Sequence, residues 1–274
     1  MNEKITTSQF LPLSSIVNIR ELGGYKMTDG RTIKHGVLLR GGCLYSASDE
    51  DMHTLTIKYK IKQVFDFRTD METKMKPDRL IAGAQFVWLP TIDPKTEKMG
   101  EATLPPSAYS HLLEYLAENC YREDVQQIAR NLYPELVRNE YTQLQYAAFL
   151  QMMASPINGG VYWHCSQGKD RTGLGAAFLL FALGADMDLV LRDFELSNEA
   201  YLDELQEARS KVIAAGYGEE ELKVIQTFIG VNTEYFTNVL NIIDTEFGSI
   251  HGYMYNQLCL TDDDIVALRN RFLE

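Results

Sequence analysis

Residues 158–173 read Asn158-Gly159-Gly160-Val161-Tyr162-Trp163-His164-Cys165-Ser166-Gln167-Gly168-Lys169-Asp170-Arg171-Thr172-Gly173, and an apolar run from Leu174 to Leu183 follows. Val161 to His164 is short, β-prone and preceded by a glycine turn, whereas Leu174 to Leu183 has the length and apolarity of a buried helix. The segment therefore predicts a strand, a tight loop and a helix. Gly168 supplies the backbone freedom such a loop needs. At a junction of this kind successive amide N–H groups and the positive end of the helix dipole converge on one anion. A phosphate fits that cradle, with the loop residues Ser166, Gln167, Gly168 and Lys169 as its binding groups and His164 orienting the loop from the strand end.

A field that binds a phosphate dianion also stabilises a thiolate, so Cys165 is expected to ionise below the ~8.5 of a free cysteine and to act as a nucleophile. Arg171, six residues on, offers a planar fork that matches two phosphoryl oxygens and stabilises charge in the transition state. Thr172 can donate its hydroxyl to the sulfur and ease its departure as thiolate. The chemistry implied is two-step phosphoryl transfer through phosphocysteine, closed by water. Cys followed by Arg at this spacing is weak evidence alone; the strand before it and the helix after it give it weight.

Working outward, Ser15 to Arg20, Val37 to Arg40, Lys62 to Arg68 and Gln85 to Pro90 read as further strands, and Asp29-Gly30 marks a hairpin between Tyr25–Met27 and Thr32–Ile33. A helical stretch from Ser48 to Lys60 separates two of them. Strands alternating with helices predict an α/β fold with a central, mostly parallel sheet flanked by helices. From Pro106 to Met153 the texture turns to long helical patterns, with Tyr146, Phe149, Leu150 and Met153 on one apolar face. The chain then continues in helices through Met187/Val190/Leu191/Phe194 and Phe236/Val239/Leu240/Ile243. Thr261 and Asp264 form a capping box for the last helix. One domain over 1–274 is expected, with a helical insertion over about 104–154 and a helical C-terminus.

The chain has 274 residues, 45% hydrophobic and 23% charged, which excludes disorder and fibrous architecture; a chain this long buries roughly three quarters of its unfolded surface. Lys and Arg number 26 against 38 Asp and Glu, a formal charge of -12. The average surface thus repels nucleic acid and anionic membranes, and an anionic ligand must be held by a local site. Cys43, Cys120, Cys165 and Cys259 contain no CxxC pair, and the histidines show no HExxH. Reduced thiols are expected, and neither a metal nor a cofactor is called for. No run approaches the ~18 apolar residues of a membrane span, and the first residues lack the features of a secretory signal. The expectation is a cytoplasmic protein with no nucleic-acid partner and no integral membrane association, with export by a signal-independent route and the oligomeric state left open.

The string HCxxGKDRTG resembles the signature of cysteine-dependent phosphatases, in the form carried by bacterial tyrosine and lipid phosphatases of the atypical, dual-specificity kind. The resemblance extends to Asn18-Ile19-Arg20-Glu21-Leu22-Gly23-Gly24-Tyr25, to Leu39-Arg40-Gly41, to Asp66-Phe67-Arg68 with Glu72 and Pro77-Asp78, and to the Tyr253–Leu268 region, so it spans most of the chain. It implies the cysteine-phosphatase fold, with the insertion as a helical lid, and hydrolysis of phosphate monoesters on a phosphorylated protein or a phosphoinositide. It also implies Asp170 as the general acid that protonates the leaving oxygen. Asp66, at the end of a parallel strand where ligand-facing residues collect, is the second candidate; Asp93 after Trp88-Leu89-Pro90 is a poor match to the WPD loop of ordinary tyrosine-specific enzymes. Lys169 resembles the basic loop residue of lipid phosphatases. Phosphotyrosine ranks first as substrate, because the surface is acidic and Gln167 adds no second loop cation.

Blander readings exist for each residue. Cys43, Cys120 and Cys259 are read as packing thiols, Arg20 and Arg40 as salt-bridge partners or site residues, and Asp262-Asp263-Asp264 as helix-start charge. Competing functions are a phosphoinositide-specific lipid phosphatase, a rhodanese-like sulfurtransferase and a non-catalytic phospholigand-binding module. Thr172-Gly173 after Arg171 suits a phosphate loop better than the second, and the third would be expected to lose Cys165 or Arg171.

Overall fold

The computed structural model of the chain describes residues 9–95 and 111–274; residues 104–110 of the expected insertion lie outside the described residues. Five strands, β1 (Arg20–Glu21), β2 (Leu38–Gly41), β3 (Ile61–Asp66), β4 (Gln85–Trp88) and β5 (Gly160–His164), make one sheet in the order β1-β2-β5-β3-β4. β1 runs antiparallel to β2, and the other pairings are parallel. The last strand in sequence is thus the central one. Every residue of β2 and β5 is buried, which is why neither alternates apolar with exposed polar residues, and why Arg40 and His164 within them need buried partners.

Two of the helices in the sheet unit start where side chains satisfy their first amides. Ser48 accepts from the Asp51 N–H to open α1 (Asp49–Ile57), and Thr69 and Glu72 form a reciprocal capping box on α2 (Asp70–Met75). The helix after the loop, α6 (Asp170–Leu183), starts four residues before the apolar run that announced it. It ends at Gly184, whose φ of 98° is the left-handed cap glycine adopts without strain. The expected capping box of the final helix, α13 (Asp262–Phe272), is formed by Thr261 and Asp264.

The strand expected over Ser15–Arg20 is not formed. Within it only Arg20 pairs in the sheet, opposite Arg40, because Asn18 turns the chain through left-handed backbone at φ 55°. The expected hairpin between Tyr25 and Ile33 is present as a single bridge, Lys26 to Thr32.

The chain packs as two compact units. One comprises the described residues up to Leu89, with Ala148–Val190 and Leu260–Glu274. Its core joins Leu39, Leu55, Val64 and Tyr162, and Phe149 meets Phe65 and Phe67 edge-on, at 5.0 and 5.2 Å between ring centres. The other unit comprises the described part of Pro90–Ala147 with Leu191–Cys259. It is built from α3 (Leu112–Asn119), α4 (Glu123–Arg138), the start of α5 (Glu140–Ala154), the end of α7 (Met187–Glu195), α8 (Ser197–Ala200), α9 (Leu202–Ala214), α10 (Glu219–Ile229), α11 (Thr233–Phe247) and α12 (Ile250–Asn256). Phe194 stacks on Phe236 at 4.0 Å, and the Tyr253 hydroxyl donates to the Val137 carbonyl. Tyr146, Phe149, Leu150 and Met153 are all buried, so that stripe is helix packing. No described helix is long and apolar enough to cross a membrane.

Candidate active site

The sheet register fixes where the loop emerges. His164 at the end of β5 is level with Gly41 of β2 and Asp66 of β3, so the chain leaves all three strands at one edge, the carboxyl end where α/β folds collect their ligands. The loop from Cys165 to Lys169 then turns with its carbonyls held from outside. The Ser166 carbonyl accepts from the Cys43 N–H at 3.2 Å. That of Gly168 accepts from Asn18 Nδ2 and Arg40 Nη2, both at 2.9 Å, and that of Lys169 accepts from Arg40 Nη2 at 3.2 Å. A trans peptide carries its N–H opposite its C=O, so these outward carbonyls direct the N–H groups of Gln167, Lys169 and Asp170 to the opposite side. Glycine is obligatory at 168: φ is 68°, and a Cβ would stand 2.1 Å from the Gly41 carbonyl carbon.

Cys165 lies at the base of this turn, and the residue is 2% exposed. Burial pushes its thiol up, but the Arg171 guanidinium and the Thr172 hydroxyl and amide outweigh it and hold the pKa below the ordinary thiol value. The buried Thr172 hydroxyl has no oxygen or nitrogen partner among the described residues; its dipole serves the sulfur. The contrast with Cys43 and Cys120 is direct, since burial pushes both of those thiols up.

Arg171 is held end-on. Its Nη1 and Nη2 each donate to one oxygen of Glu72 at 2.7 Å, and the Ser166 hydroxyl donates to the same carboxylate at 2.5 Å. Glu72 also accepts the Thr69 N–H at 2.8 Å. Burial pushes this carboxyl up, but Arg171 and these hydrogen bonds bring it down to about 2. A bidentate carboxylate on the terminal fork, with the Phe67 carbonyl accepting from Nη1 at 3.4 Å, fixes the plane of the guanidinium.

A second ion network lies at the strand ends. Arg68 donates to both oxygens of Asp66, to Asp78 at 2.6 Å and to the Lys76 carbonyl at 2.6 Å. Asp78 Oδ2 is 3.1 Å from His164 Nε2, and Asp78 Oδ1 accepts the Leu44 N–H. His164 Nδ1 is 3.1 Å from the Cys165 carbonyl. Burial pushes the imidazole pKa down, but Asp66 and Asp78 reverse this and raise it; it lowers that of Asp78 in return, against burial. Asp66, Asp78 and His164 lie close enough to hold a cation. Arg68 already occupies both carboxylates, so these donors do not fit a metal ion as they stand.

Of the residues singled out in sequence, the structure gathers Cys165, Ser166, Gln167, Gly168, Lys169, Asp170, Arg171 and Thr172 on the loop and the first turn of α6, with His164 just before them. Lys169 is 3% exposed, its Nζ 3.4 Å from Asp170 Oδ2, and burial lowers its amine pKa despite that carboxylate. Asp66 is committed to Arg68. Asp93 accepts the Lys95 N–H and belongs to the helical unit. Glu72 was visible only as part of a resemblance, which gave it no link to Arg171. Asn18 and Arg40 support the loop through its carbonyls, a role no local pattern announces.

A family model described as the tyrosine phosphatase family matches residues 11–274. The chain is 27% identical, over 96% of its length and 88% of the relative's, to a Cupriavidus necator protein whose name assigns it provisionally to the tyrosine-protein phosphatases. It is 26% identical, over 86% of its length and 92% of the relative's, to the triple specificity protein phosphatase PtpB of Mycobacterium tuberculosis. With a thiol of lowered pKa beside a clamped arginine on a strand–loop–helix turn, and a family match over nearly the whole chain, this protein belongs to the tyrosine phosphatase family and is a protein-tyrosine phosphatase.

Proposed function

We propose that this phosphatase acts through a phosphocysteine intermediate, with phosphotyrosine as its first substrate and phosphoserine, phosphothreonine and phosphoinositides within its range. The observation that carries the reading is the Cys165 thiol, held below its ordinary pKa by Arg171 and Thr172 inside a loop whose carbonyls are tied outward. The substrate's phosphoryl group lies against the inward N–H groups, with the Arg171 guanidinium beside it. Cys165 thiolate attacks phosphorus, the P–O bond to the leaving group breaks, and Asp170 gives that oxygen its proton. Water then attacks the phosphocysteine, Asp170 takes the proton, and the thiolate departs toward the Thr172 hydroxyl, releasing inorganic phosphate. Asp170 is preferred to Asp66 because both oxygens of Asp66 accept from Arg68.

The test is hydrolysis of an aryl phosphate by the purified protein without added metal, repeated with Cys165→Ser. The variant binds phosphate and does not turn over; unchanged turnover refutes the mechanism. Asp170→Asn loses the basic limb of the pH–rate profile and Asp66→Asn keeps it; the reverse pattern moves the acid to Asp66.

Lys169 supports a second reading, action on phosphoinositides, since a loop cation can hold a second phosphate. The relative PtpB is named for triple specificity, which agrees with breadth here. Phosphopeptides and phosphoinositides assayed side by side, with Lys169→Met, test it: a selective loss on the lipid substrates supports it, and an equal loss on both classes removes it.

A further inference from the structure

Asn18 contacts no reacting atom, yet three features converge on it. It is 5% exposed, its backbone has φ 55°, and its side chain lies between Arg20 and the active loop. Arg20 Nη1 donates to Asn18 Oδ1, and Asn18 Nδ2 donates to the Gly168 carbonyl at 2.9 Å. A guanidinium has donors only, so the amide oxygen must face Arg20 and the amide nitrogen must face the loop; the side chain cannot be reversed. Left-handed backbone is disfavoured for residues with a Cβ, and Asn tolerates it better than most. A bare chain reversal at this point would be served better by glycine.

We infer that Asn18 is a positioning residue of the phosphatase reaction, holding the Gly168–Lys169 peptide so that the Lys169 N–H faces the bound phosphoryl oxygens. The Gly168 carbonyl receives Asn18 from before β1 and Arg40 from β2, both at 2.9 Å. Two donors on one carbonyl fix the plane of its peptide, and they polarise the N–H on the far side toward an anion. Arg20 takes part by locking the amide. The inference rests on the anion cradle proposed above.

The experiment measures inhibition by inorganic phosphate and turnover of an aryl phosphate for the wild-type chain, Asn18→Gly and Asn18→Asp, with thermal midpoints alongside. Glycine relieves the left-handed backbone but takes an acceptor from the buried Arg20, two effects of opposite sign that leave the midpoint close to that of the wild type, while the inhibition constant for phosphate rises about 5-fold for the lost tie. Asn18→Asp keeps the size and the pairing with Arg20 but turns an acceptor on the Gly168 carbonyl, and its inhibition constant rises further, about 10-fold. The acid limb of kcat/KM moves to higher pH in both. A merely structural side chain gives the opposite pattern, a lower midpoint with phosphate inhibition unchanged, and that result overturns the inference, as does loss of the folded state in both variants. If the wild type turns over and Cys165→Ser abolishes it while both Asn18 variants behave as wild type, this inference alone fails; if Cys165→Ser leaves turnover intact, the cradle reading fails and takes the inference with it.

Discussion

Arg68 and Arg171 make the same bond, a guanidinium on a carboxylate, in two regions of the sheet unit, and they end in different roles. Arg68 meets two carboxylates and a carbonyl, and its side chain is 1% exposed. Arg171 meets the carboxylate of Glu72 through its terminal fork and the Phe67 carbonyl at 3.4 Å, and is 12% exposed. The first region is sealed, and its carboxylates are held by Arg68 and lie against His164. In the second, part of the cation's field reaches Cys165 and lowers its pKa. A buried ion pair is a strut when its partners consume the charge, and in the function proposed above it is a catalytic clamp when they orient the cation and leave part of its field for a neighbouring group.

The comparison breaks most visibly at Arg68. Arg68→Ala leaves Asp66 and Asp78 without their cation, a loss of about 3–5 kcal/mol, read as a fall on the order of 10 °C in Tm; turnover per folded molecule falls far less. Arg171→Lys should do the reverse, lowering kcat by about 10²–10³-fold, as for loss of one transition-state donor, with Tm almost unchanged. If both variants lose stability and activity in the same proportion, the distinction between strut and clamp is wrong.

Glu72→Gln sharpens it further. The neutral amide still reaches Arg171 but no longer holds it as a charged pair, and kcat falls about 10-fold, in line with ~1.5 kcal/mol for a charge-assisted hydrogen bond. The sign of the pH dependence follows from the lowered carboxyl. A group depressed from 4.5 to about 2 contributes stability that is complete above 4.5 and is lost as pH falls through about 2. The difference in unfolding free energy between the protein and Glu72→Gln should therefore shrink across that window, and denaturation at stepped pH would show a constant difference if the clamp were not ionic.

The smallest effect is expected at Thr172. Thr172→Val removes the hydroxyl from the sulfur with little change of shape. The acid limb of kcat/KM moves up and the second step slows about 5-fold, roughly one hydrogen bond, which a burst in product release under rapid mixing would reveal. No shift in the limb would mean that Arg171 alone sets the ionisation of Cys165.

The strand at Val161–His164, the loop and the helix behind it were legible because they are contiguous and each is announced locally, by apolar β-prone residues, by Gly168 and by the run to Leu183. Cys165, Arg171 and Thr172 came with them, at fixed separations along one turn. Ser15–Arg20 was misread as a strand for a physical reason: Ile16 and Ile19 bury in a turn that leaves Val17 exposed, and the contact of Asn18 with Gly168, which holds that turn, is invisible in local sequence. Asp66 looked available as an acid because sequence shows a carboxylate at a strand end and not the guanidinium two residues later folding back onto it.

By itself, then, the sequence determined the local unit that can hold an anion beside a thiol, because hydrogen bonding along a short turn depends on residues within a few positions of one another. The tertiary structure decided what tunes that unit. Glu72 on Arg171, Asp78 on His164, and Asn18 with Arg40 on the Gly168 carbonyl are pairings across 86 to 150 positions of chain, created when β5 enters the sheet between β2 and β3. Local periodicity carries no record of strand order, and strand order sets which charges share the buried edge.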